Sequence, residues 1–90
     1  AALIVSAPSA DAADALAREI ALSAPEREGV QVLGPAPAPL AVLRGRHRRR
    51  LLLRTMRGIA VQPILRQWLG DIKPTGGAKV DIDIDPISFL

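Results

Sequence analysis

Residues 46–55 read Arg-His-Arg-Arg-Arg-Leu-Leu-Leu-Arg-Thr, and their alternation decides what kind of sheet this chain can build. Successive side chains of a strand point to opposite sides. His47, Arg49, Leu51 and Leu53 therefore share one face, and Arg46, Arg48, Arg50, Leu52 and Arg54 share the other. The leucines of the first set suit a core, whereas the second set is a basic ridge that belongs in solvent. Such a strand fits a sheet that is covered on one side and open on the other.

The flanking sequence supplies the remaining elements. Toward the N-terminus, Val30-Gln31-Val32-Leu33 reads as a strand after Gly29. The following Gly34-Pro35-Ala36-Pro37-Ala38-Pro39 predicts a stiff, polyproline-like connector, because prolines supply no ladder donors and cannot extend the strand. Further upstream, the apolar run Ala1 to Ser6 predicts a first strand, closed by Ser6-Ala7-Pro8-Ser9. A helix then starts with Ser9 as N-cap and Asp11 and Asp14 near its positive end. Ala13, Leu16, Ala17 and Ile20 recur on one helical face, Asp14 and Arg18 have the spacing of an ion pair, and Ala24-Pro25 marks the end.

Toward the C-terminus, Val61, Ile64, Leu65, Trp68, Leu69 and Ile72 follow helical spacing without exception. Pro63 suits the first turn of this helix and Pro74 stops it. Gly76-Gly77 makes a turn, and Lys79 to Asp85 then alternates, with Val80, Ile82 and Ile84 inward and Asp81, Asp83 and Asp85 outward. The order is βαββαβ. It predicts a single α+β domain over residues 1–90, a ferredoxin-like four-stranded antiparallel sheet with two helices on one face. In that topology the third strand is central and the fourth is at an edge. The open face then carries Arg46, Arg48, Arg50 and Arg54 in its middle and the aspartates at its margin.

Composition bounds what such a domain can do. Hydrophobic residues make up 49% of the chain but aromatics only 2%, so the core is built from Leu, Ile and Val. The lack of cysteine removes disulfides, thiolate metal sites and thiol nucleophiles together and fits a reducing, cytoplasmic setting. No apolar stretch approaches the roughly 20 residues of a membrane span. Gly76-Gly77-Ala78-Lys79 lacks the first glycine, the hydroxyl and the following helix of a phosphate loop, so ATP binding is not expected here. His47 has no metal-ligand or triad partner at useful spacing, and Asp81, Asp83 and Asp85 lead into Pro86 where a calcium loop needs glycine. Trp68 falls on the apolar helix stripe and reads as core. Neither a catalytic residue nor a metal or other cofactor is expected within this chain.

Net charge is +3, and its distribution is more informative than its sum. From Arg44 to Arg57 lie seven of the twelve basic residues and no acid. Arginines at alternate positions stand about 7 Å apart on one strand face and repel each other. The three aspartates relieve this internally, or an anion does so from outside. Phosphate oxygens suit the planar guanidinium fork, and a nucleic-acid backbone is the favoured ligand over an acidic peptide or an anionic membrane. Without aromatics on that face, binding is to backbone rather than to stacked bases. Leu52 among the arginines, with Ala2 and Ile4 of the first strand, implies that another protein surface covers part of the same face.

One group of residues carries a more specific resemblance: Val32-Leu33-Gly34-Pro35-Ala36-Pro37-Ala38-Pro39-Leu40, then Arg44-Gly45-Arg46, the Leu51-Leu52-Leu53 strand, and the close from Asp81 to Leu90 with Asp85-Pro86. This resembles the C-terminal domain of the PriA family, the bacterial primosomal replication-restart DNA helicases. The resemblance covers the whole chain, most specifically from Val32 onward. It implies a noncatalytic piece of a larger ATP-dependent helicase whose ATP, magnesium and zinc sites lie in other parts of the protein. It implies a fold similar to that of a small-subunit ribosomal protein, and binding to single-stranded and branched fork DNA. It further implies docking on the helicase core of the same chain and on the acidic tail of single-stranded DNA-binding protein. Gln62 matches a tail-contacting position of the family, while Gly58 stands at the family's basic contact with Arg57 beside it. His47 and Arg49 stand where the family commonly has aromatics. The expected phosphate-binding residues are thus Arg44, Arg46, Arg48, Arg50 and Arg54, with Arg57 and Gln62 at a partner site.

Overall fold

The computed structural model describes residues 1–83, and Pro39 by its backbone alone. The expected elements follow in the expected order: β1 Ala2–Ala7, α1 Ala10–Leu22, β2 Val30–Leu43, β3 Arg46–Thr55, α2 Val61–Leu69 and β4 Lys79–Asp83. The strands form one sheet in the order β2-β3-β1-β4, and every neighbouring pair is antiparallel. The α+β, ferredoxin-like arrangement read from the sequence is the observed one. Ile84, Asp85 and Pro86 lie outside the described residues.

Local chemistry explains where each helix starts and which side it buries. Ser9 has extended backbone, and its Oγ accepts from the Ala12 N–H at 3.1 Å, satisfying one of the donors a helix start leaves open. The buried positions of α1 are Ala13, Leu16, Ala17 and Ile20, the stripe read from spacing. In α2 the buried positions are Ile64, Leu65 and Trp68. Both stripes lie on Leu3 and Val5 of β1 and Leu51 and Leu53 of β3, all of one strand parity. Each fully buried leucine contributes roughly 1.5–3 kcal/mol by leaving water. The buried Trp68 Nε1–H donates to the Ile20 carbonyl at 3.0 Å, tying α2 to the last turn of α1. The helix α2 ends at Leu69, earlier than the apolar stripe implied. Ile72 sits in the turn that follows, its N–H on the Leu69 carbonyl at 3.1 Å, and still packs on the core.

Two expectations are corrected. The proline run does not end the second strand: β2 continues through it from Val30 to Leu43. Its position explains why. As the outermost strand it needs ladder bonds on one side only, so imino nitrogens facing outward lose nothing. Register steps absorb the irregularity, with Leu33 opposite Leu52, Ala36 opposite Arg50, Pro37 opposite Arg49 and Val42 opposite His47. At the first step Gly34 has φ +104°, and a Cβ there would stand 2.7 Å from the Arg50 carbonyl oxygen, so only glycine fits. The second correction concerns Asp14. Instead of pairing with Arg18 along the helix, its Oδ1 lies 2.6 Å from Arg49 Nε of β3. Arg49 is only 17% exposed, and a less hydrated cation is the stronger competitor for the carboxylate.

Candidate functional site

The basic residues are set by a tight hairpin and by the register of three strands. Leu43 pairs with Arg46, and the two residues between them, Arg44 and Gly45, have φ of 52° and 78°. Two positive φ values in a two-residue loop are the signature of a type I′ turn, which brings β2 back against β3 and holds Arg44 at its tip. Directly opposed residues share a face, so cross-sheet rows can be read from the register. One row on the open face runs Arg48, Ser6, Lys79, and the next runs Ala36, Arg50, Ile4, Asp81.

Arg46 is held in place by neutral groups. Its Nη2 donates to the Gly77 carbonyl at 2.7 Å and to the Ser6 carbonyl at 3.1 Å, and its Nε and Nη2 both reach Ser6 Oγ. Among the described residues no carboxylate takes part in these bonds. Arg48 donates from Nη1 to the Leu40 carbonyl at 3.2 Å. Together Arg44, Arg46, Arg48 and Lys79 line a concavity of about 300 Å³ with Ile4, Ser6, Leu43 and Asp81. Among the described residues the lining holds four basic side chains and one carboxylate, Asp81, which lies 3.9 Å from Lys79 in a loose exposed pair.

The sequence-predicted ridge is therefore divided. Arg44, Arg46 and Arg48 converge, and Arg50 stands one row further along the same face. Arg54 lies at the far end of β3, opposite Gln31, in a separate recess with Gly29 and Met56. Six residues of strand put it about 20 Å from Arg48. Leu33 and Leu52 form an apolar row between the two. Neither Asp81 nor Asp83 forms an ion pair with Arg44, Arg46, Arg50 or Arg54. Asp85 is outside the described residues. Arg57 and Gln62 are both exposed, Arg57 in the turn before α2 and Gln62 in its first helical turn, next to exposed Met56.

Gly76-Gly77-Ala78-Lys79 leads into strand β4 rather than a helix, and so does not build a phosphate loop. Among the described residues no helix is long and apolar enough to cross a membrane. Comparison with known proteins gives a definite family. The profile of the primosomal protein N C-terminal domain matches residues 1–87. The chain belongs to this family. As a primosomal protein N C-terminal domain it is similar to Replication restart protein PriA of Rickettsia prowazekii (strain Madrid E), with 38% identity over 74 residues, 82% of this chain and 11% of that protein. It is likewise similar to Replication restart protein PriA of Treponema pallidum (strain Nichols), with 36% identity over 62 residues, 69% of this chain and 9% of that protein. The chain thus spans about a tenth of the length of the curated relatives it matches.

Two members of the basic site of this primosomal protein N C-terminal domain escaped sequence reading. Lys79 was placed at the start of an acidic edge strand, and Ser6 in a breaker segment. The register brings both beside Arg48, Ser6 between the two strands that flank β1. The alternation of β4 carried the signal for Lys79, because it shares parity with Asp81 and Asp83 and so had to face the arginine side.

Proposed function

We propose that this chain is the noncatalytic DNA-binding and docking domain of a cytoplasmic replication-restart helicase that recognises stalled forks and begins primosome assembly. ATP turnover, magnesium and zinc belong to other parts of that protein. The observation that carries the reading is the concavity on the open sheet face, where Arg44, Arg46, Arg48 and Lys79 converge. The Arg46 guanidinium is oriented by two carbonyls and a hydroxyl, and phosphodiester oxygens are acceptors that match such a fork. Arg50 extends the surface along β3, and Arg54 offers a second, separate contact to the same strand of DNA.

The test is the affinity of the chain for single-stranded and fork-shaped DNA as salt is raised from about 50 to about 200 mM. Three or four phosphate contacts give a slope of about −2 to −3 in log affinity against log salt for a single strand. Absence of binding at low salt, or an affinity indifferent to salt, would overturn the reading.

Exposed Arg57, Gln62 and Met56 around the start of α2 support a second role, docking of an acidic peptide such as the tail of single-stranded DNA-binding protein. Substituting Gln62→Ala is expected to weaken peptide binding and leave the salt-dependent DNA affinity intact. The apolar row of Leu33 and Leu52 supplies a surface for the helicase core of the same chain.

A further inference from the structure

The open face carries its charges in two parallel strips. On β3 the side chains of this face run from Arg46 past Arg50 and Leu52 to Arg54, a strip about 27 Å long. On β4 they are Lys79, Asp81 and Asp83, all exposed. The register sets the strips side by side: Arg50 shares a row with Asp81 across Ile4, and Leu52 shares the next row with Asp83 across Ala2. Two strand spacings separate them, about 10 Å. Lys79 and Asp81 form only a loose pair at 3.9 Å, and Asp83 has no cationic partner among the described residues. On the opposite flank, β2 holds no charged residue from Val30 to Leu43.

A polynucleotide backbone laid along β3 therefore has cations beneath it, a neutral flank on one side and carboxylates on the other. A single strand has one backbone and asks for nothing more. A duplex has a second backbone, which stands across a groove about 6 Å or about 12 Å wide. Turned toward β4, that backbone comes over Asp81 and Asp83, where like charges repel. Turned toward β2, it lies over or beyond an uncharged edge strand and finds no cation. The charge pattern of the face is complementary to one backbone and not to two.

We propose that Asp81 and Asp83 are specificity-determining residues that make the open face select single-stranded over double-stranded DNA. The inference rests on the reading of this face as a DNA-binding surface and adds to it the form of DNA that the face accepts. The arginines of β3 supply the attraction common to both forms. The β4 carboxylates act mainly on the second backbone, because a strand lying on β3 is about 10 Å away from them, a full Debye length at about 0.1 M salt.

The test titrates one DNA sequence, as a single strand and as a blunt duplex, against the parent chain and against Asp81→Asn/Asp83→Asn at the same salt concentration of about 0.1 M. The parent chain is expected to bind the single strand at least about threefold tighter than the duplex. The double substitution is expected to raise duplex affinity about fivefold and single-strand affinity less than about twofold, which brings the ratio of the two close to one. Asp11→Asn/Asp71→Asn makes the same change of charge at two exposed positions outside the sheet and is expected to leave the preference as it is. Thermal melting of each variant checks that the fold is kept. Equal binding of both forms by the parent chain, or a preference untouched by Asp81→Asn/Asp83→Asn, would overturn the inference while leaving the DNA-binding reading in place. Equal gains for the two forms, or the same loss of preference in Asp11→Asn/Asp71→Asn, would trace the effect to net charge and overturn the inference as well. Failure of the parent chain to bind either form would overturn both.

Discussion

Arg49 and Arg50 are consecutive residues of β3, and the sheet sends them into different chemistry. Arg49 points to the helix side, is 17% exposed, and has Nε 2.6 Å from Asp14. Arg50 points to the open side, where the acid in its own row, Asp81, is two strands away across Ile4, about 10 Å by the spacing of strands. The two faces of one strand thus treat the same side chain as an internal tie and as an unmatched surface charge. A run of charge along the sequence is not a patch of charge on the molecule. What counts is the subset the alternation leaves on the open side, and how the register gathers it.

This contrast can be broken by experiment, and the leucines that follow give its largest effect. Leu51 is fully buried beneath the helices while Leu52 lies half-buried on the open face. Leu51→Ala is expected to cost about 3 kcal/mol in urea unfolding and Leu52→Ala about 1 kcal/mol or less. Equal costs would mean that the two faces are not as different as described. Next in size is Gly34→Ala, where φ of +104° and the Arg50 carbonyl 2.7 Å from the added carbon lead to a loss of roughly 2 kcal/mol, seen as a lowered thermal midpoint.

A smaller effect separates the two arginines themselves. Arg49→Ala removes a partly exposed ion pair and is expected to lower stability by about 0.5–1 kcal/mol. Arg50→Ala is expected to stay within about 0.5 kcal/mol of the parent chain, its cost appearing in DNA affinity instead. Smallest of all is Arg18→Ala. Since Asp14 is engaged by Arg49, urea unfolding is expected to show a change near the limit of measurement. A clear loss at Arg18 would restore the pairing along the helix that sequence spacing suggested.

Much of this architecture was legible because it depends on short-range periodicity. The stripe of α1, the cap at Ser9, the bounds of β3 and the parity of its leucines follow from neighbours within a few residues. The features that escaped depend on what the chain meets from afar. Whether prolines end a strand or ride along an edge depends on which strand lies outermost, and nothing within Gly34 to Pro39 states that. The partner of Asp14 is 35 residues away on another element, and the nearer Arg18 was the natural choice from spacing alone. The basic site shows both cases at once. Its arginines were visible as a run, but their convergence with Lys79 over the buried Ser6 required the register of β3, β1 and β4.

The central claim is that the open face of β3, rather than net positive charge, binds DNA. Its most direct test compares Arg50→Glu on the open face with Arg18→Glu, an equal change of charge on an exposed position of α1. Affinity for one single-stranded DNA is measured for both variants across the same salt series. The expected result is a large loss of affinity and a shallower salt slope for Arg50→Glu, with Arg18→Glu close to the parent chain. Equal losses for the two variants would show that the DNA responds to overall charge and would contradict the assignment of the binding surface to this sheet face.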